Sequence, residues 1–480
     1  MNDMNNNNNV EKNKDDSDFG VFAKPDSLKR VHFIGIGGSG MAGLALVAHR
    51  QNIKVSGSDL AQTSYMQALL RDGIDITFEH DASTITNSDI QVVVVSTAIA
   101  NDNAELIAAK EAGIPVWRRA KMLAWLGLGK RVLAVSGTHG KTTTSAMLST
   151  ALLELGADPT FFIGGVVQKV QASAHFGTDD IIIAEADESD GSFVCLNPEL
   201  AIVTNVEADH MDHYESLTQI EDSFRAFLNK LDPDGLAIVC GDEPDLPELA
   251  RASGRRVLTY GLYAGCDVRL KVLGDSEFAI EFANDKSVTC NLICSPGIHN
   301  MLNATAVICA LDYLGYNLKD AAQALCNYQG VRRRFELIGE HAGITVVDDY
   351  GHHPTEIDAT LRAAHRAGYK RVHVLFQPHR YTRTRAFLQD FARAFDAATT
   401  ISLMPIYAAG ELPIDGVNSD ALLSAIQAYN PELNVRLLTE RCETSEQMAT
   451  LAKSGDVIIT MGAGDVTKEA PLILDVIKRL

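Results

Sequence analysis

Arg131-Val132-Leu133-Ala134-Val135-Ser136-Gly137-Thr138-His139-Gly140-Lys141-Thr142-Thr143 is an apolar run, a glycine-bracketed turn and the opening of a helix. Strand, glycine loop and Lys-Thr-Thr follow in the order of a phosphate-binding loop. Backbone N–H groups from Gly137 to Thr143 can surround an anion at a helix N-terminus, Lys141 can reach the β- and γ-phosphates, and the Thr142 hydroxyl can ligate Mg²⁺. The glycines stand two residues closer than in the usual G-x-x-x-x-G-K-[ST]. The helix that follows is expected to be amphipathic. The competing reading is a glycine turn that caps a helix and leaves the lysine solvated.

Outward from this loop, short β-branched runs alternate with longer helical patterns, as parallel α/β units do. Strands are expected at 31–36, 54–57, 92–96, 132–136, 181–184 and 201–204, and a second series at 344–348, 372–376, 400–404 and 457–461. Between the two series, residues 260–293 alternate as antiparallel strands would, and are expected to form a small β appendage on the second domain. The pattern resets near Gln329-Gly330-Val331. The expected fold class is therefore α/β with three domains, each on a largely parallel sheet: a Rossmann-like unit at 24–122, a phosphate-loop ATPase-like centre at 123–330 and a Rossmann-like unit at 331–480. Residues 1–23 read as a disordered tail, Asn-, Asp- and Lys-rich to about Ser17 and without the apolar stretch of a signal peptide.

A chain of 480 residues with 46% hydrophobic and 22% charged residues suits about three well-packed domains. Its net charge of −20 disfavours nonspecific binding to nucleic acid or anionic membrane, so anionic ligands must meet local basic groups. The eight cysteines show no C-x-x-C spacing and read as buried apolar residues in a reducing compartment. No apolar run is long enough to span a bilayer, and a cytoplasmic location is expected.

The first unit carries Val31-His32-Phe33-Ile34 running into Gly35-Ile36-Gly37-Gly38-Ser39-Gly40, a second glycine turn suited to a diphosphate at a helix N-terminus. Asp59, after the next strand, stands where a carboxylate would accept a ribose hydroxyl. The motif does not choose between NAD and a UDP-sugar. Two acidic strand ends, Glu185-Ala186-Asp187-Glu188-Ser189-Asp190 and Asn205-Val206-Glu207-Ala208-Asp209-His210, offer oxygen ligands for a nucleotide's Mg²⁺. The third unit adds Arg332-Arg333-Arg334-Phe335, Asp348-Asp349-Tyr350-Gly351-His352-His353-Pro354 and Gln377-Pro378-His379-Arg380-Tyr381-Thr382-Arg383. Arginine forks suit phosphate or carboxylate. The paired histidines could bind metal, relay protons or serve structure.

Taken together with Gly297-Ile298-His299-Asn300-Met301-Leu302-Asn303-Ala304, these ordered motifs resemble the Mur ligases of bacterial cell-wall synthesis over nearly everything from His32 onward. The resemblance implies a UDP-sugar at Gly35, Gly37, Gly38, Ser39, Gly40 and Asp59, with Ser96, Thr97, Ala98 and Arg119 lining the same site. It implies ATP at the loop Gly137–Thr143 with Thr142 on its Mg²⁺, a second Mg²⁺ served by Glu188 and His210, adenine against Asn300 and Asn303, and Arg334 and Asp349 reaching the nucleotide from the third domain. Tyr350, His352, His379, Arg380 and Arg383 are implied for the incoming amino acid, and Lys141, His210, Arg334 and His352 for catalysis. Several sister ligases use a carbamylated lysine after the Asp-His pair; here no lysine occurs between Lys169 and Lys230, as in the branch that adds L-alanine.

The implied reaction joins L-alanine to the carboxylate of UDP-N-acetylmuramate through an acyl phosphate, at the expense of ATP and with Mg²⁺. The implied protein is a monomer or homodimer that binds neither nucleic acid nor membrane. A recycling ligase adding a tripeptide shares most of these motifs. An NAD-dependent oxidoreductase would explain the first glycine loop and leave the second unexplained, and a nonenzymatic nucleotide-gated protein is a further class.

Overall fold

A computed structural model describes residues 19–480 except 97, 190, 210–212, 284, 439 and 440, and leaves the side chains of 192, 441 and 442 undescribed. Thr97 and His210, both implicated above, lie outside the described residues.

Among the described residues, three sheets follow one another along the chain. The first has five parallel strands, Arg30–Ile34, Lys54–Ser58, Asp75–Thr77, Val92–Val95 and Val116–Arg118, in the order third, second, first, fourth, fifth. Both glycine loops leave the carboxyl end of a buried parallel strand, as ligand sites in such sheets do. In the central sheet, Arg131–Ser136 lies between the parallel strands Ile181–Glu185 and Leu200–Val203, which deliver the two acidic segments beside the phosphate loop. The last sheet pairs Ile344–Asp349 with Val457–Met461, then Val372–Phe376, and is parallel except for its edge strand Glu336–His341.

Four expectations are corrected. The β segment after Tyr260 is no appendage: Val268–Val272, Glu277–Phe282 and Ser287–Asn291 extend the central sheet through the pairing Tyr260↔Val268, making ten strands among the described residues. The helix Lys141–Glu154 is not amphipathic, since every residue from Thr142 to Leu152 is buried. It packs on the helix Ile298–Tyr313, which is itself buried along most of its length. The tail ends earlier than residue 23, because Phe19 and Phe22 are buried edge-on against Trp117, and Trp125 Nε1 donates to the Phe22 carbonyl at 2.7 Å. The boundary at 122/123 falls inside the helix Arg119–Leu126, so this helix belongs to one unit.

The first unit rests on the second through the helix Ser39–Arg50, which lies on the strand Thr160–Val167 and the edge strand Ala172–His175. Gly43 permits this approach: a Cβ there would stand 2.8 Å from that of Ala174. Among the described residues, no helix is long and apolar enough to cross a membrane.

Candidate active site

The phosphate loop takes its shape from two glycines in the left-handed region, Gly137 (φ +132°) and Gly140 (φ +85°). A Cβ on Gly137 would lie 2.1 Å from Thr204 Oγ1, so the loop is pressed against the end of the neighbouring strand. Asn205 Oδ1 accepts from the His139 N–H at 2.8 Å, and Thr204 Oγ1 donates to the His139 carbonyl at 2.5 Å. Lys141 Nζ donates to the Gly137 carbonyl at 2.6 Å and pairs with Glu188 at 2.8 Å. Burial pushes the Glu188 carboxyl up to about 7, while the surrounding carboxylates hold the Lys141 ammonium protonated.

The carboxylate on Thr142 is Glu185, which accepts from its hydroxyl at 2.9 Å and from the Gly164 N–H at 2.7 Å. Glu188, implied for a second Mg²⁺, faces the lysine. Thr142, Glu185 and the nearby Glu188 and Asp187 form a set of oxygen donors of the kind a hard divalent cation takes. A second group, His139, Glu207 and His353, offers donor atoms within 4.8 Å of one another. His139 lies between Glu207 (3.7 Å) and Glu356 (3.5 Å), and its pKa is raised to about 9: burial opposes the charge and the two carboxylates outweigh it. A metal there would have to displace that proton.

A cavity of about 250 Å³ runs from the loop between the second and third units, past His139, Gly140 and Thr143 to Cys240, Tyr260, Ser295, Pro296, His299 and Asn300. Asn303 lies against the loop: its amide oxygen would meet a Cβ on Gly140 at 2.9 Å, and its Nδ2 donates to Asn300 Oδ1 at 3.3 Å. His299 is half-buried at the far end, where desolvation pushes its pKa down to about 4.

The third unit closes this cavity with Arg334, Phe335, Asp349, Thr355 and Glu356. Arg333 (φ +62°) and Phe335 (φ +50°) are non-glycine residues in the left-handed region, strain that costs roughly 1–3 kcal/mol each and is typical of functional segments. Asp349 holds that turn in place, accepting from the Phe335 N–H and the Gly351 N–H, both at 2.8 Å. Burial raises its carboxyl to about 6 despite the nearby Arg334. The Arg334 guanidinium reaches Glu356 at 3.4 Å, and both Arg333 and Arg334 lie over the Tyr350 ring, 4.9 and 5.1 Å from its centroid.

On the amino-acid side, His352 and His379 meet edge to face at 5.7 Å, and His379 stacks on Tyr407 at 5.6 Å. The buried Nδ1 of His379 has no hydrogen-bond partner among the described residues. Burial, with Arg383 and Arg380 nearby, pushes the His379 pKa down to about 4. Arg380 is strained (φ +68°). Arg383 bonds Asp209 of the second unit at 3.1 Å, so it also bridges domains. His352 Nδ1 faces two oxygens that can only accept, Tyr350 O at 3.2 Å and Glu356 at 3.3 Å, which places the proton on Nδ1 and leaves Nε2 as the acceptor nitrogen; burial, with Arg383 and His379 nearby, outweighs Glu356 and pushes the His352 pKa down to about 3.

The glycine loop of the first unit borders a separate cleft of about 440 Å³, lined by Gly38, Ser39, Gly40, Ser96 and Arg119 and, from the second unit, Gly164, Glu185 and Asp187. This cleft therefore reaches the carboxylate that holds Thr142. Gly35 (φ +77°) makes the turn. Asp59 is placed differently from expectation, accepting from the Gly37 N–H at 2.9 Å and the Leu60 N–H at 2.8 Å. Asp59 thus braces the glycine turn. Ala98 follows Ser96, whose Oγ accepts from the Ala98 N–H at 3.3 Å.

Glu356 escaped the sequence reading, although Pro354 and Glu356 after His353 form a helix-start signature that could have revealed it. Glu185 stood within a quoted acidic run, with nothing local to rank it above Glu188.

A phosphate loop, acidic strand ends beside it and a third domain closing with an arginine define a three-domain nucleotide-dependent ligase. Family models agree: the Mur ligase family catalytic domain matches residues 30–131, the Mur ligase middle domain 135–311 and the Mur ligase glutamate ligase domain 333–464. The chain belongs to the Mur ligase family. Among curated relatives, it is similar to the UDP-N-acetylmuramate–L-alanine ligase of Geotalea daltonii, 41% identical over 451 residues covering 93% of this chain and 98% of that one. The enzyme of the same name from Geobacter sp. (strain M21) is 43% identical over 444 residues, 92% of this chain and 95% of that one. Among solved structures, the UDP-N-acetylmuramate–alanine ligase of Thermotoga maritima superposes with a TM-score of 0.76 at 28% identity, covering 94% of this chain and 99% of that one.

Proposed function

We propose that this chain is a UDP-N-acetylmuramate–L-alanine ligase of peptidoglycan synthesis, acting in the cytoplasm with ATP and Mg²⁺. The observation that carries the reading is the junction of two clefts at one point. The cavity beside the phosphate loop is lined by Thr142 and the cleft below the first glycine loop by Glu185, and these two side chains are hydrogen-bonded at 2.9 Å. An acid held in the first can therefore meet a γ-phosphate held in the second.

The UDP portion lies along Gly38, Ser39, Gly40 and Arg119, whose side chain packs on Gly40 and stands 3.9 Å from Asp187. The muramate carboxylate attacks the γ-phosphorus of ATP, giving an acyl phosphate and ADP. Lys141 and Arg334 neutralise the charge spread over the transferred group. Thr142 and Glu185, with Glu188 nearby, would hold Mg²⁺, which supplies electrostatic stabilisation of that charge; His210, outside the described residues, keeps the metal role the family resemblance implies. Adenine fits the end of the cavity between Tyr260 and His299, with Asn300 at its edge and Asn303 nearer the phosphates.

The amine of L-alanine then attacks the acyl carbon, phosphate leaves and an amide forms. His379, Arg380 and Arg383 suit the alanine carboxylate, and Tyr350 supports Arg334. Neutral His352 offers Nε2 as a hydrogen-bond acceptor that orients the amine; with its pKa pushed down to about 3 it is a weak base for the amine proton. Water would hydrolyse the acyl phosphate, so closure by the third domain must precede chemistry.

The test is ADP release with UDP-N-acetylmuramate across a panel of amines. L-Alanine should be the preferred amino acid. Release driven by a tripeptide and not by L-alanine would move the chain to the recycling activity.

A further inference from the structure

The two oxygens of Glu356 collect donors from three parts of the site that the reaction must bring together. Oε1 lies 3.5 Å from His139 Nδ1 on the phosphate loop and 3.4 Å from Arg334. Oε2 accepts from the backbone N–H groups of His352 at 3.0 Å and His353 at 3.2 Å, and lies 3.3 Å from His352 Nδ1. The side chain is 13% exposed and sits at the start of the helix Pro354–Arg366, where it closes a capping box with His353.

A carboxylate has about four lone-pair directions, and here they are shared among a residue of the second unit and three of the third. The contact to His139 exists only when the third unit lies against the phosphate loop. One residue away, Thr355 Oγ1 donates to Glu207 at 3.0 Å, so the same helix start is fastened twice to the second unit.

We propose that Glu356 is a positioning residue that couples closure over the phosphate loop to assembly of the amine site, by holding His139, Arg334 and His352 through one buried charge. Closure brings His139 onto Oε1. The carboxylate then fixes Arg334 toward the nucleotide side and orients His352 by its Nδ1–H, leaving Nε2 for the amine. Opening removes His139 and returns a buried anion to water. For its kinetic test this inference rests on the ligase reading; its structural test does not.

The discriminating variant is Glu356→Gln, because glutamine keeps the capping acceptor and removes the charge. In coupled ADP-release assays the KM for L-alanine should rise tenfold or more and kcat should fall, while the KM for UDP-N-acetylmuramate, whose cleft Glu356 does not line, should stay within twofold. Glu356→Asp, which keeps the charge, should recover part of the alanine KM. In parallel, small-angle scattering with a nonhydrolysable ATP analogue should show compaction of the wild type and reduced compaction of Glu356→Gln. Wild-type alanine kinetics in Glu356→Gln would overturn the proposal. A fall in kcat with every KM unchanged, or a uniform loss accompanied by a lower melting temperature and no rescue by aspartate, would also overturn it. If the wild type shows no alanine-dependent ADP release, the ligase reading has failed, and the scattering comparison alone decides: equal compaction of the two proteins overturns the coupling.

Discussion

Replacing His139 with asparagine should remove a pH-dependent part of the stability whose size follows from its surroundings. The imidazole has Glu356 of the third unit on one side and Glu207 of the second on the other, at 3.5 and 3.7 Å. Burial opposes its charge, yet the two carboxylates raise its pKa from 6.5 to about 9. At about 1.4 kcal/mol per tenfold this corresponds to roughly 3 kcal/mol favouring the imidazolium in the folded protein. Glu207 is 32% exposed, so solvent screening reduces the figure to about 2–3 kcal/mol. The lowered pKa of each carboxylate is the same attraction seen from its partner and adds nothing.

Because the folded pKa lies above the unfolded one, this contribution is fully present below pH 6.5 and disappears as the pH rises through 9. Urea unfolding of wild type and His139→Asn at about pH 6, 8 and 10 should show a gap of about 2–3 kcal/mol at the lowest pH that shrinks steadily toward the highest. A gap independent of pH would refute the reasoning. So would an imidazole resonance of His139 that titrates near 6.5.

Two other substitutions bear on the phosphate loop. Gly137→Ala must accommodate a Cβ 2.1 Å from Thr204 Oγ1 at a φ of +132°, and should weaken ATP binding at least tenfold in a fluorescent-nucleotide titration, a loss of about 1.4 kcal/mol or more. Glu185→Gln should raise the Mg²⁺ concentration needed for half-maximal ADP release by more than Glu188→Gln does, because Glu185 and not Glu188 accepts from the Thr142 hydroxyl. Equal effects would return Glu188 to the first rank of metal ligands.

The phosphate loop was legible because its chemistry is local: two glycines, a lysine and a threonine within six residues, after a strand the residue types already betray. The long arginine-rich and histidine-rich segments were recognisable as anion sites for the same reason. What joined them was not legible. Glu356 acquires its role from His139, a residue of a different domain, and no local pattern reports that approach. The strain at Arg333 and Phe335 was hidden because left-handed backbone is signalled by glycine, and neither residue is one. Alternation revealed the strands after Val268 and chain order their domain, but not that they continue its sheet, since that depends on the short parallel pairing of Tyr260 and Gly261 with Val268 and Arg269. The helix after Lys141 was misjudged as amphipathic because its Thr and Ser residues look solvated in sequence, yet they are buried between the central sheet and the helix Ile298–Tyr313.

The central claim is that Lys141 and its loop spend ATP on joining an amine to a UDP-linked acid. Its most direct measurement is ADP release by wild type and Lys141→Ala, with ATP and Mg²⁺ present and each remaining substrate omitted in turn. The account predicts that wild type releases ADP at full rate only with both UDP-N-acetylmuramate and L-alanine, and that Lys141→Ala loses at least a hundredfold of that rate, about 2.7 kcal/mol of transition-state stabilisation. Near wild-type release by Lys141→Ala, or release indifferent to UDP-N-acetylmuramate, would contradict it.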